Sequence, residues 1–237
     1  MTAEATTIDP PRRLFVPTLT KQCWGFMIGS AFFAVGSAPG LSTALGSSVS
    51  NILFFIGALF FTTAGLIQLF FSGAIAVKVS YPPGRMVRAE WLTAATQTFG
   101  TLMFNVSTTA ALRAKTITAE EQFVWNPDAG GSVAFLVSGC LAFIAYAHVA
   151  NVWDLRPRAW WSVFINFVGC VAFGISAVGS YILPSGSSYN DSLANNGTFI
   201  GAICFLLASL IVLPFWDRKS HRTSASAVLG DDEVVVK

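Results

Sequence analysis

Three amides stand where their chemistry would matter most. Gln97, Asn105 and Asn166 fall inside long apolar runs of the chain. An amide in such a run either bonds across to a neighbouring helix or meets a polar ligand. Gln97 and Asn166 occupy matching places, three residues before Gly100 and Gly169, whereas Phe26 stands at the corresponding place before Gly29. Together the three form a candidate intramembrane polar site, with interhelical hydrogen bonding as the first expectation and a ligand site between helices as the second. Gln68, His148 and Asn151 are further polar residues of the runs, and Glu90 and Asp154 mark boundaries beside Trp91 and Trp153. No Asp, Glu, Lys or Arg lies deep in a run, which argues against a proton-coupled pump, whose relays need ionisable groups inside the membrane.

Catalytic constellations are missing from the sequence. It holds no H-E-x-x-H, P-loop, G-x-S-x-G or dinucleotide fingerprint. Its four cysteines, Cys23, Cys140, Cys170 and Cys204, are scattered through apolar runs without a C-x-x-C pair. They read as small packing residues, with no disulfide framework and no metal site. The net charge of +2 includes no cluster of Lys and Arg suited to a phosphate backbone. The expectation is therefore a protein that is not an enzyme, with no catalytic residues, no cofactor, no metal and no nucleic-acid partner.

The elements that must hold these residues follow from composition. Of 237 residues, 54% are hydrophobic and 11% charged, with a mean hydropathy of +0.62; soluble domains carry about a quarter charged residues. Six uncharged apolar runs can be read, at 23–44, 51–77, 91–112, 131–152, 159–183 and 195–215. Each is close to the ~20 residues that span a bilayer as a helix. Pro39 and Gly40 should end the first helix early. Backbone groups in lipid must be bonded internally, and no strand alternation suggests a barrel, so the runs predict helices.

Orientation follows from the basic residues. Arg12, Arg13 and Lys21 precede the first run; Lys78, Arg85 and Arg88 separate the second and third; Arg156 and Arg158 separate the fourth and fifth; Arg218, Lys219 and Arg222 follow the sixth. The opposite side has only Arg113 and Lys115. This is a positive-inside pattern with both termini in the cytoplasm. Trp24, Trp91, Trp153, Trp160, Trp161 and Trp216 gather at the inner ends and Trp125 falls in an outer loop, as expected of an interfacial aromatic belt. The first run lacks the marks of a cleavable signal and is expected to be retained.

The most informative pattern is repetition. Gly29, Phe33 and Gly36 recur as Gly100, Phe104 and Ser107, and again as Gly169, Phe173 and Ser176, at intervals of 71 and 69 residues. In the even runs Phe54 to Ala58, with Gly57, resembles Thr198 to Ala202, with Gly201, and Phe135 to Gly139 is a looser middle copy. Positions i, i+4 and i+7 share one helix face, where small residues admit a neighbouring helix and Phe fills the adjoining space. The expectation is an all-α membrane protein of six transmembrane helices arranged as three tandem hairpins, about 20–77, 88–153 and 158–216, as parallel repeats about the membrane normal. Polar tails, 1–19 and 218–237, are expected to be disordered and cytoplasmic. The longest outer loop, Arg113 to Gly130, carries Glu120, Glu121, Trp125 and Asp128 and is the expected place for a partner from outside.

The segments Phe32 to Gly40, Phe54 to Thr63, Gln97 to Asn105 and Asn196 to Ala202 resemble membrane proteins with a YrhK-like domain. The resemblance spans nearly all six runs and rests on packing residues. It implies a helical, mostly bacterial membrane protein without an assigned activity, and supplies no catalytic or binding residues to carry over. The expected role is thus a non-enzymatic accessory or scaffold component of a bacterial cytoplasmic membrane, in contact with lipids and a membrane-protein partner. The alternative is a transporter or channel for a small neutral or lipidic solute.

Overall fold

A computed structural model describes residues 17–80 and 83–214. The expectations for the two tails fall largely on residues outside the described ones, as do Arg12, Arg13, Trp216, Arg218, Lys219 and Arg222. Six long helices dominate: α1 (Leu19–Ser37), α3 (Ser47–Phe71), α4 (Ala89–Ala111), α6 (Asn126–Ala147), α7 (Arg158–Gly179) and α8 (Asp191–Ile211). Between α1 and α3 lies the short α2 (Leu41–Leu45). Ahead of α6 come a single turn, α5 (Ile117–Ala119), and a π-helical segment, Glu120–Trp125.

Helix ends follow local chemistry. Thr18 caps α1 by accepting from the Lys21 N–H, and Asn190 caps α8 by accepting from the Leu193 N–H. The chain leaves α1 just before Pro39, and Gly40 turns at φ 77°, as its sequence predicted.

Two expectations need correction. The second run does not stay helical to Val77: α3 stops at Phe71 and the chain forms an antiparallel hairpin of β1 (Ala76–Ser80) and β2 (Pro83–Val87). Val77 and Val79 alternate with Lys78 and Ser80, a strand period rather than a helical one. The segment 113–130 is not mainly loop: it is helical from Ile117 onward, and α6 begins five residues before Gly131. Thr116 caps this start by accepting from the Ala119 N–H, and Pro127 falls where the π-helical segment gives way to α6, a break in the regular hydrogen-bond ladder.

The six long helices close a ring. Each packs on two neighbours, in the order α1, α3, α4, α6, α7, α8 and back to α1. The ring is apolar outside: Leu59, Leu66, Phe99, Val106, Val137, Val171 and Ile200 are exposed at positions within the helices. Inside, the buried residues include Ser30, Thr98, Thr101, Ser132, Ser138 and Ser176 with Ala and Gly. Such a distribution suits lipid outside and close helix packing inside. Four helices among the described residues are long and apolar enough to cross a membrane: α3, the segment Ile117–Ala147, α7 and α8.

Glycines set the spacing within each pair. A Cβ at Gly29 would lie 2.8 Å from Phe61 Cδ2 and 2.9 Å from the Gly57 carbonyl; one at Gly57 would meet Phe33 Cδ2 at 2.7 Å. At Gly100 it would lie 2.5 Å from Phe135 Cδ1 and 2.9 Å from the Gly131 carbonyl. At Gly201 it would lie 2.5 Å from Phe173 Cδ2, and at Gly169, 2.9 Å from Phe205 Cδ1. Each long helix thus carries a glycine with a phenylalanine four residues on, and each ring lies over the glycine of its partner. The middle even copy is Gly131 with Phe135, aligned with Gly57 and Phe61. Phe135 therefore matches Phe61, and the pairing of Phe135 with Phe54 drawn from the sequence is out of register.

Candidate functional site

The six phenylalanines converge on the ring axis in two layers. Phe33, Phe104 and Phe173 form one triangle, with centroids 6.4, 5.9 and 5.7 Å apart. Phe61, Phe135 and Phe205 form the second, at 6.5, 5.9 and 5.5 Å. The layers interlock through the pairs 33–61, 104–135 and 173–205, at 5.4, 5.0 and 5.3 Å. The first two pairs meet edge to face and the third is stacked, arrangements that suit the ring quadrupoles. All six rings are buried, so they form an apolar septum across the axis.

Gln97, Asn105 and Asn166 are not brought together. Gln97 is buried at the α4–α6 interface, where its Oε1 lies 3.2 Å from the Ser138 hydroxyl, which also donates to the Thr93 carbonyl at 2.9 Å. Asn105 turns to α3: its Nδ2 donates to Thr62 Oγ1 and to the Thr101 carbonyl. Among the described residues, Asn166 reaches only the Cys170 sulfur of its own helix, at 3.8 Å. The first two serve as bonds between helices.

The polar cavity lies elsewhere, at the end of the ring where α1, α4 and α7 finish and α3, α6 and α8 begin. It holds about 540 Å³, within the range of small-molecule sites. Phe33 and Phe173 of the first triangle lie at its base, with Phe54 stacked on Phe33 at 5.3 Å. Ser107 and Ser176, the small residues of the repeated motif, line its wall. Gly36, their counterpart on α1, packs against Phe54 instead, a Cβ there falling 2.7 Å from Phe54 Cε1.

The rim is acidic and aromatic. Glu120, Asp128 and Asp191 line the cavity, as do Ser50, Asn51 and Asn195. Ser180 is a hydrogen-bonding neighbour of the Asp128 carboxyl. Asn51 ties the rim together, its Nδ2 donating to the Ala111 carbonyl at 3.2 Å. The π-helical segment brings both Glu120 and Trp125 to the cavity; such segments recur at functional sites. Trp125 is fixed there by its indole N–H, which donates to the Ala177 carbonyl at 2.8 Å, and by edge contact with Tyr181 at 4.9 Å. Among the described residues the lining contains no Lys, Arg or His. Three helix starts and three helix ends meet here, so their partial charges largely offset one another, and the ionisable side chains of the described lining are all acidic.

Sequence reading placed Asp128 in a loop and did not join it to Ser107 and Ser176. The available signal was Thr116, an N-cap residue just before Ile117, which starts the helical segment ahead of the acidic stretch. Compared with known proteins, the chain matches no family model, no curated protein and no solved structure.

Proposed function

We propose that the chain is a six-span membrane protein of three tandem hairpins, both ends cytoplasmic, that works by binding rather than catalysis. On this reading it is an accessory or interaction component of a bacterial cytoplasmic membrane, surrounded by lipid and in contact with a membrane-protein partner. Spanning by α1 and α4 is supported by how their polar groups are hidden. Thr93, Thr96, Thr98 and Thr108 of α4 donate back to carbonyls four residues earlier, and Ser37 of α1 does the same to Phe33. A hydroxyl bonded in this way costs less in hydrocarbon than a free one. Lys21, Lys78, Arg88, Arg156 and Arg158 cluster at the end away from the cavity, which favours a cytoplasmic assignment for that end. The three Gly–Phe helix pairs favour tandem hairpins, as does the resemblance to YrhK-like proteins.

The observation that carries the reading is the double layer of phenylalanines beneath a one-sided cup. A channel needs a continuous wet path, and the six buried rings interrupt it. The cup itself favours the second reading, a transporter for a small neutral or lipidic solute, which would require the septum to part. Glycerol efflux from proteoliposomes discriminates: efflux no faster than from protein-free vesicles is expected, and saturable efflux would overturn the binding reading in favour of transport.

A further inference from the structure

The cup carries features that neither the helix packing nor the septum uses. Three carboxylates, those of Glu120, Asp128 and Asp191, line one cavity with no cation in its lining among the described residues. Arg113 and Lys115 flank the lining residue Ala114 on the neighbouring turn, but neither lines the cavity. Asp128 and Asp191 each stand in the first turn of a helix, where carboxylates commonly offset the helix dipole. That role alone would not gather them round a cavity.

A second observation points inward. Ser50, in the first turn of α3, is 6% exposed and its hydroxyl has no hydrogen-bond partner among the described residues, yet it lines the cavity. A buried hydroxyl left unpaired is costly, and this one belongs to a residue of the cup's wall. Aromatic side chains complete the site: Phe33, Phe54, Phe173 and Trp125 line the same space, and aromatic rings attract cations held away from water. No group of three or more His, Cys, Asp or Glu among the described residues is placed to hold a metal ion. Spread carboxylates, aromatic walls and single hydroxyls suit a larger charge-diffuse cation instead.

We infer that the cup binds a small organic cation, an ammonium carrying apolar substituents, with Asp128 as its counter-charge, Ser50 as a hydrogen-bonding contact and the phenylalanines as its apolar bed. This inference rests on the proposal that the protein acts by binding, and on the cup facing outward. The test uses the full chain in detergent, titrated calorimetrically with tetramethylammonium, choline and benzylammonium. The neutral isostere 3,3-dimethylbutan-1-ol serves as comparison for choline, and benzyl alcohol for benzylammonium. At least one cation should bind saturably and more tightly than its neutral isostere by about tenfold or more. Asp128→Asn should abolish that preference. Ser50→Ala should weaken binding a few-fold without lowering thermal stability, because it removes no bond within the protein. Asp154→Asn, at the opposite end, should leave binding unchanged. Equal affinity for cation and isostere, or no binding of any cation, would overturn the inference. Binding in detergent that is lost when the cation is offered only outside sealed proteoliposomes would overturn the outward placement and leave the site standing.

Discussion

Phe104 and Phe135 meet edge to face at 5.0 Å, and each comes from a helix whose own glycine lies against the other's ring or backbone. This reciprocal contact recurs in all three helix pairs. It couples two properties that would otherwise be independent, the close approach of helices and the sealing of the axis.

Adding a methyl group at Gly100 should therefore be far worse than at Gly130. The first would put a Cβ 2.5 Å from Phe135, whereas the second meets nothing within 4 Å. Gly100→Ala should destabilise the protein by ~1–3 kcal/mol through overpacking. Gly130→Ala, in the first turns of α6, should be neutral or stabilising by up to ~1 kcal/mol through helix propensity. Thermal unfolding of both variants in one detergent checks the contrast.

Truncating a septum ring tests the core. Phe135 is 1% exposed and touches Phe61, Phe104, Phe173 and Phe205. Phe135→Ala should cost ~3–5 kcal/mol. Phe70→Ala, at a ring 70% exposed near the end of α3, should cost well under half as much. Equilibrium unfolding in mixed micelles measures both.

The buried amides should show themselves as helix-to-helix bonds. Ser138→Ala removes the hydroxyl that faces Gln97 and leaves the Gln97 Oε1 buried, so a loss of ~1–2 kcal/mol is expected. Asn166→Leu, which breaks only a 3.8 Å contact to sulfur, should change stability by less than ~0.5 kcal/mol. A larger effect at Asn166 than at Ser138 would reverse the ranking of these two sites. The same unfolding assay reads both.

Much of this arrangement was legible from residue types. Six runs became six long helices, because helices are the form in which such apolar stretches satisfy their own backbone. The recurrence of Gly29–Phe33, Gly100–Phe104 and Gly169–Phe173 located half of the septum. The other half, Phe61, Phe135 and Phe205, escaped because the even runs are richer in Phe. Phe54 and Phe55 offered a competing register, and Gly131 stood at the edge of its run. The hairpin of Ala76–Ser80 and Pro83–Val87 was hidden because Val77 closed the second apolar run and Lys78, Arg85 and Arg88 were read only for orientation.

The cup escaped for a different reason. Ser50, Ser107, Asp128, Ser176 and Asp191 belong to five helices and lie as far apart as 141 positions along the chain. No local spacing relates them, and ring closure is what puts them round one space. Conversely, Gln97, Asn105 and Asn166 drew notice because they interrupt apolar runs, yet a polar interruption on a helix face is as readily answered by the next helix as by a ligand.

The most direct test of the six-span ring with an outward cup is labelling with a membrane-impermeant maleimide, over a wild-type background. Single cysteines would be introduced by Lys115→Cys, Ser187→Cys, Lys78→Cys and Trp153→Cys. The first two should label in intact cells and the last two only after permeabilisation. If α1 and α4 do not cross, Lys115→Cys and Lys78→Cys will instead share one side, and that result would contradict the ring as a transmembrane structure.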